Sequence, residues 1–256
     1  MNKSLFDNTE VAFRMKKNFH LYNAIFLFNI ITKKILVGIL TKLTIMMLKF
    51  KLPIKRILKG TIYKHFCGGI DIAECKKIIS DMYKMNVCSI LDYSVEGLSN
   101  EYSFNNSCEK KIKIINKVSE NAAVPFAVFK PTSIGRYELF KTVSDGKELL
   151  KDEEVEWSNV VNRFHKICNH ALINKTKILI DAEEYEVQKA IDELALEMMK
   201  SYNKEYVIVY NTIQLYRWDR IDYLKKLFKD YSKSKFSFGF KLVRGAYMEK
   251  ERLLAK

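Results

Sequence analysis

No two cysteines in this chain of 256 residues stand in a Cys-x-x-Cys spacing, and no His-Glu-x-x-His string occurs. The five cysteines, Cys67, Cys75, Cys88, Cys108 and Cys168, are odd in number and irregularly spaced. That pattern speaks against a disulfide framework or a zinc site and for reduced thiols in a cytoplasmic setting. His165 and His170 are five apart, an interval that does not share a helix face; no metal is expected. No Gly-x-Gly-x-x-Gly follows any apolar run, which removes the Rossmann phosphate turn. A long apolar run is missing too. Residues 21–47 are the greasiest stretch, but Lys33, Lys34 and Lys42 cut it into pieces shorter than the ~20 residues a spanning helix needs. No small-residue cleavage site follows a short apolar core, so a secretory signal is not expected.

Positive charge is plentiful: 44 Lys and Arg against 30 Asp and Glu, a formal net charge of +14. Lysine, asparagine and isoleucine recur throughout, which reads as a compositional bias and not as a nucleic-acid surface. Residues 21–47 read as two amphipathic helices. Lysines beside their apolar faces also suit a peripheral contact with an anionic bilayer, at the inner face of the membrane. Hydrophobic residues make up 48% of the chain, enough for a sizeable core.

From residue 71 a rhythm sets in. Short apolar runs end in polar residues, and each is followed by a helical pattern. The runs cover residues 87–92, 125–130, 177–181, 206–211 and 238–243. Helical spacing marks residues 71–85, 109–118, 157–170, 185–202 and 219–231, with Met198 and Met199 as core filler. Alternating βα units with nearly continuous apolar strands imply a parallel sheet covered on both faces. The strand ends deliver Asp92, Lys130, Asp181, Asn211, and Lys241 with Arg244. In a (βα)8 barrel that rim carries the active site. With no dinucleotide turn, the expected fold class is α/β, a TIM-barrel-like (βα)8 architecture. It is expected over residues 71–256, preceded by a helical region over residues 1–70.

The last of these runs is the most informative. Along Phe238-Gly239-Phe240-Lys241-Leu242-Val243, alternation puts Gly239, Lys241 and Val243 on one face and the three other residues on the opposite one. A lysine inside a strand buried on both faces needs an anionic or electron-rich partner; the plainer reading is a core strand whose Lys241 snorkels to water. The longer string Lys-Leu-Val-Arg-Gly-Ala-Tyr-Met (241–248) closely resembles the signature of the proline dehydrogenases, FAD enzymes on a distorted (βα)8 barrel. Four earlier strings resemble the family's preceding strands, in the family's order. They are Leu91-Asp92-Tyr93-Ser94-Val95-Glu96-Gly97, Phe129-Lys130-Pro131-Thr132, Ile180-Asp181-Ala182-Glu183-Glu184 and Tyr210-Asn211-Thr212-Ile213-Gln214-Leu215-Tyr216.

The resemblance implies oxidation of L-proline to Δ1-pyrroline-5-carboxylate, with hydride passing to flavin N5 and electrons continuing to a membrane quinone. It places Lys130 against the substrate carboxylate and Tyr247 as a wall of the proline pocket. Asp181 becomes the aspartate that orders the charges near the flavin, and Lys241 the basic residue beside N5. Ala182, Gln214, Arg244, Gly245 and Ala246 stand where the family touches FAD. A cation near N1/N5 stabilises a flavin that gains negative charge on reduction. Asp181 on the adjacent strand would offset the desolvation of Lys130; the plainer reading of that pair is a tie between strands.

The resemblance departs at the end. Three further strands and a pair of adjacent arginines that clamp the substrate carboxylate are expected of the family, and no Arg-Arg dipeptide exists in the sequence. Lys130 alone is a poor substitute for a bidentate guanidinium pair. About five of eight βα units are therefore expected, with two unpaired sheet edges. Such a chain reads as a truncated enzyme, a half that a complementary C-terminal chain completes, or a non-catalytic remnant. A basic membrane-surface protein is a third class of reading.

Overall fold

Why residues 88–256 fold as they do follows from the apolar runs. In the computed structural model, which describes residues 7–93, 97–119 and 121–255, they form five strands: β1 (Ile90–Asp92), β2 (Phe126–Phe129), β3 (Lys177–Ile180), β4 (Val209–Gln214) and β5 (Phe240–Val243). All neighbours pair in parallel, in the order β1-β2-β3-β4-β5. Sequential order without a reversal is how a βα barrel grows; a doubly wound sheet would switch direction partway. The expected barrel-type arc is what the chain forms, with β1 and β5 at the edges of the described sheet. Ser94, Val95 and Glu96 of the first family-like string lie outside the described residues.

The helices between the strands are α7 (Glu101–Val118), α8 (Tyr137–Ser144), α9 (Lys151–Ile173), α10 (Tyr185–Tyr202), α11 (Arg220–Tyr231) and, after β5, α12 (Met248–Leu254). Helix α8 was not anticipated, and α7 and α9 begin earlier than their apolar spacing suggested. Asn100 caps α7 by accepting a hydrogen bond from Ser103 N at 2.9 Å, a start signal carried by a side-chain oxygen and not by periodicity. The outward side chains Ala127, Phe129, Ile178, Ile180 and Val209 meet Ile112 and Ile115, Phe140, Phe164 and Ile167, and Ile191, Leu194 and Met198 in one apolar core. Each such side chain contributes roughly 1.5–3 kcal/mol. Burial pushes the Cys108 thiol up to about 11 and raises that of Cys168 as well. Phe238, just before β5, and Phe240 on it stack at 5.5 Å, and Phe228 of α11 meets them edge-on. Gly239 is required between them: a Cβ there would sit 2.5 Å from the Val209 carbonyl oxygen.

β4 starts three residues later than its apolar run. Asn203, just past α10, accepts from Ile208 N and Val209 N at 3.0 and 2.8 Å and donates to Val209 O and Ser237 O at 2.8 and 3.0 Å. A side-chain amide thus takes over ladder positions at the strand's start, and pairing runs on through Thr212, Ile213 and Gln214. The consequence is a correction at the rim. Asn211 is mid-strand, buried on the helix side, and donates to Asp192 at 2.9 Å. Thr212 takes the position expected of it.

The remaining residues, up to Val87, form a separate compact unit. It comprises α1 (Thr9–Phe13), α2 (Asn18–Ile31), α3 (Lys34–Lys49), α4 (Lys55–Leu58), a π-helical turn (Lys59–Tyr63), α5 (Lys64–Phe66) and α6 (Ile72–Tyr83). Asn8 and Asp71 cap α1 and α6, and α3 ends short of Pro53, all as the residue types suggest. The expected division fell after residue 70, so α6 lies between that boundary and this one.

Candidate active site

Strand register brings the predicted charges into one row. Phe129 pairs with Ile180, Ile180 with Asn211, and Thr212 with Lys241. One step toward the C-terminal ends, Lys130, Asp181, Thr212 and Lys241 therefore stand side by side on the face away from the helices. Lys130 and Lys241 are at the same end of the sheet. Asp181 and Lys241 form an ion pair across β4, with their side chains 21% and 28% exposed. Strands lie about 4.8 Å apart, so this pair spans about 10 Å of backbone. The residue beneath it must be small, and Thr212 meets that need by turning its hydroxyl onto Ile180 O at 2.7 Å. Asp181 was expected to offset the desolvation of Lys130; the structure gives it Lys241 as an ion-pair partner. Lys130 acts on Glu183, whose carboxyl is raised by burial and held down in part by Thr132 and by the Lys130 charge.

Glu183 belongs to a feature that sequence reasoning missed. Its carboxylate accepts from Thr132 N and Oγ1 at 2.8 and 2.7 Å, tying the end of β2 to that of β3. Its backbone N–H donates to Gln188 Oε1 at 2.8 Å, and Gln188 Nε2 donates to Asp192 at 2.9 Å. Arg220 bridges Asp192 and Asp219, both at 2.5 Å. Arg217 reaches Asp219 at 2.7 Å and Gln214 Oε1 at 3.1 Å. Gln214 Nε2 closes the circuit on Glu183 O at 2.7 Å. Seven residues thus form a closed polar ring beneath the rim, and among the described residues no buried side-chain polar atom lacks a partner. Burial alone would raise the Asp219 carboxyl, but the guanidiniums of Arg220 and Arg217 hold it at about 2. Burial would likewise lower Arg220, and its two carboxylates keep it above its ordinary value. The legible signal was the i,i+4 spacing of Gln188 and Asp192 on α10.

The other predicted residues fall into two sets. Arg244, Gly245 and Ala246 form an exposed stretch after β5, and Tyr247 follows half-buried with φ +28°. Ala246 N–H donates to Tyr216 Oη, which also accepts from Gln214 Nε2 at 2.9 Å, and Lys250 pairs with Glu184 at 2.5 Å. This loop is therefore fastened to the ring. Ala182 is half-buried next to Asp181. Gln214 is 1% exposed, with its amide nitrogen donating to Glu183 O within the ring and to Tyr216 Oη beside it.

A family model described as proline dehydrogenase matches residues 75–256. The chain belongs to the proline dehydrogenase family. It is 30% identical to proline dehydrogenase 2, mitochondrial, of Arabidopsis thaliana, over 78% of this chain and 50% of that protein. It is 29% identical to the carbapenem antibiotics biosynthesis protein CarD of Pectobacterium carotovorum, over 73% of this chain and 50% of that one. The chain thus spans about half the length of these curated relatives. Among solved structures, proline utilization A of Bdellovibrio bacteriovorus, inactivated by N-propargylglycine, superposes with a TM-score of 0.63 at 19% identity. That match covers 79% of this chain and 22% of that one and supports the proline dehydrogenase barrel as the fold.

Proposed function

We propose that this chain carries the flavin-facing half of a site that oxidises L-proline to Δ1-pyrroline-5-carboxylate. The row Lys130–Asp181–Thr212–Lys241, with its Asp181–Lys241 pair, carries the reading. The residues present fit FAD in two respects. A cation stands on the open face at the strand ends, and beside it runs an exposed stretch, Arg244 to Ala246, whose last two residues bear only a hydrogen and a methyl group. A Cβ at Gly245 would meet nothing nearer than Met248 Cγ at 3.5 Å. Lys241, Arg244, Gly245, Ala246 and Ala182 would hold the cofactor, and Gln214 would act on it through the ring.

The flavin, when bound, supplies the acceptor for the hydride that proline loses. Asp181 holds the Lys241 ammonium on the open face, where it would lower the cost of the negative charge that a bound flavin gains on reduction. Lys130 offers its ammonium to the proline carboxylate, and Tyr247 bounds the pocket. A quinone as the electron acceptor, and a cytoplasmic protein touching the inner face of the membrane, complete the reading.

Adjacent arginines occur nowhere in these 256 residues, so the chain alone is expected to show little proline:dye oxidoreductase activity and weak flavin retention. Mixing it with a separately expressed C-terminal barrel half from a relative should restore yellow colour and turnover. Robust activity of the chain by itself would refute the need for a second carboxylate clamp. Colour and activity that never return on mixing would favour a non-catalytic remnant.

A further inference from the structure

The row of charges at the rim occupies one end of the open sheet face, and the opposite end carries a second feature. Side chains alternate along a strand, so Lys177 and Leu179 on β3 share the side of Asp181, and Tyr210 on β4 shares that of Thr212. Lys177 stands four residues before Asp181, about 13 Å away along the strand. There the N-terminal ends of β3 and β4 frame a cavity of about 500 Å³, within the roughly 300–1,000 Å³ span of small-molecule sites. Lys175, Lys177, Tyr206 and Tyr210 line it, together with the apolar Val207 and Ile208.

These four polar side chains have nothing to answer them. Among the described residues, neither lysine forms an ion pair and neither phenol hydroxyl has a hydrogen-bond partner. Elsewhere in this unit even surface lysines such as Lys141 and Lys166 meet carboxylates. The Cα atoms of Lys175 and Lys177 are within about 7 Å of each other, and like charges that close repel. Lys175 takes φ +51° at the turn from α9 into β3, where glycine is the usual residue, so the turn itself has no need of a cation. Aromatic packing orders the donors. Lys177 Nζ lies 5.5 Å from the centre of the Phe126 ring, and Phe126 meets Tyr210 edge-on at 5.6 Å. Burial raises the Tyr210 phenol above its ordinary value, so it keeps its proton and can donate.

We propose that this cavity is a binding site for a small organic dianion, a phosphate monoester or a dicarboxylate. The ammonium groups of Lys175 and Lys177 and the hydroxyls of Tyr206 and Tyr210 would hold its oxygens, and Val207 and Ile208 its carbon skeleton. Charge sets the class. Two ammoniums without a carboxylate balance two negative charges, and hydrogen bonds from a cation to an oxyanion are about twice as strong as neutral ones. A monoanion leaves one cation unanswered, and a neutral ligand leaves both. None of these residues has a part in the oxidation of proline proposed above, so the site stands or falls apart from that reading.

The test is isothermal titration calorimetry of the full chain with inorganic phosphate, succinate and acetate, at constant ionic strength and about pH 8, where phosphate is close to doubly charged. Phosphate or succinate is expected to saturate one site, at least about ten-fold more tightly than acetate. Lys175→Gln and Lys177→Gln should each weaken that binding about ten-fold or more, the loss of one charge-assisted hydrogen bond. Lys226→Gln, on an exposed residue of α11 outside the cavity, should bind as the parent does, and circular dichroism should show all three variants equally folded. Tighter binding of phosphate identifies a phosphate monoester as the ligand class, and tighter binding of succinate a dicarboxylate; either result supports the site. Equal affinity for all three anions, no saturation by phosphate or succinate, or undiminished binding in both cavity-lysine variants overturns the proposal.

Discussion

The two units of this chain solve the problem of charge in opposite ways. In residues 88–256, cations are taken inside and matched. Arg163, 4% exposed, donates to Glu101, Asn105 and the Ile134 carbonyl, and Arg217 and Arg220 are locked into the ring around Asp219 and Asp192. In residues 1–87 the ion pairs, such as Lys59–Glu74 and Lys77–Asp81, lie on the surface, and the large apolar residues are mostly exposed. Among the described residues, Leu27 and Ile79 are the hydrophobic residues buried there, against a continuous core in the second unit. The difference teaches where each region's stability comes from. One unit is held by packing that its polar ring serves; the other has apolar surface that its own residues do not cover.

The sharpest way to break that contrast is to remove a phenylalanine from each side. Phe164 is fully buried against Phe129 at 5.3 Å, so Phe164→Ala should cost about 3–5 kcal/mol in urea unfolding. Phe26, 61% exposed, should give a change within about 0.5 kcal/mol when replaced by alanine. Comparable losses at both positions would mean that the first unit has a core of its own.

Next in size is the ring. Arg220→Met leaves Asp192 buried without its cation, and removing one partner of such a pair costs about 3–5 kcal/mol. The double variant Arg220→Met, Asp192→Leu should recover much of that loss, because the stranded charge goes with its partner. Additive losses would mean that the ring acts through single contacts and not as a unit. Lys77→Met, on the exposed pair of α6, should change unfolding by less than about 0.5 kcal/mol.

How much of this was legible depends on the range of the interaction. Apolar runs and alternation are local, so the five strands and the face that carries Lys241 could be read from residues 87–243 directly, while the parallel barrel arc followed from the βα rhythm and the missing dinucleotide turn. The rim residues Lys130 and Asp181 were also legible, because a polar residue ending an apolar run is a local event, and Lys241 stood out as a lysine inside one. The shift of β4 was not, since Asn203 displaces the ladder from outside the strand. The pairing of Asp181 with Lys241 was missed for a related reason. Adjacent strands are the natural first guess, and the small Thr212 lets a lysine two strands away reach the same carboxylate. The ring draws on residues 183 to 220, and its closure depends on how α10 and α11 pack, which no short window contains.

The Asp181–Lys241 pair itself separates structure from chemistry. It is partly solvated, and Lys241→Met should shift the unfolding midpoint by about 1 kcal/mol or less. If this cation stabilises the reduced cofactor, the same variant should lower proline oxidation in the completed enzyme by about 10²–10³-fold. A large stability loss with activity retained would make the pair a strand tie and nothing more.

The smallest expected effect concerns acid. Asp219 has its carboxyl held at about 2, below its ordinary 3.8, so the folded protein binds fewer protons there than the unfolded chain. Its contribution is present above pH 3.8 and is lost as the pH falls toward about 2. Glu183 works in the other sense. Burial raises its carboxyl, so the stability linked to it is complete below its ordinary 4.5 and is lost as the pH rises through the raised value. Urea midpoints measured at about pH 5 and about pH 2.5 should therefore differ less in Asp219→Asn than in the parent, by about 1 kcal/mol or less after solvent screening. Glu183→Gln should instead flatten the limb above pH 4.5, because an amide in that place needs no proton to be neutral. In the first unit Glu74 is also lowered, by its hydrogen bond to Lys59, but it lies at the surface. Glu74→Gln should leave the acid limb where it was, and a shift equal to that of Asp219→Asn would show that the surface pairs of residues 1–87 carry more weight than their exposure allows.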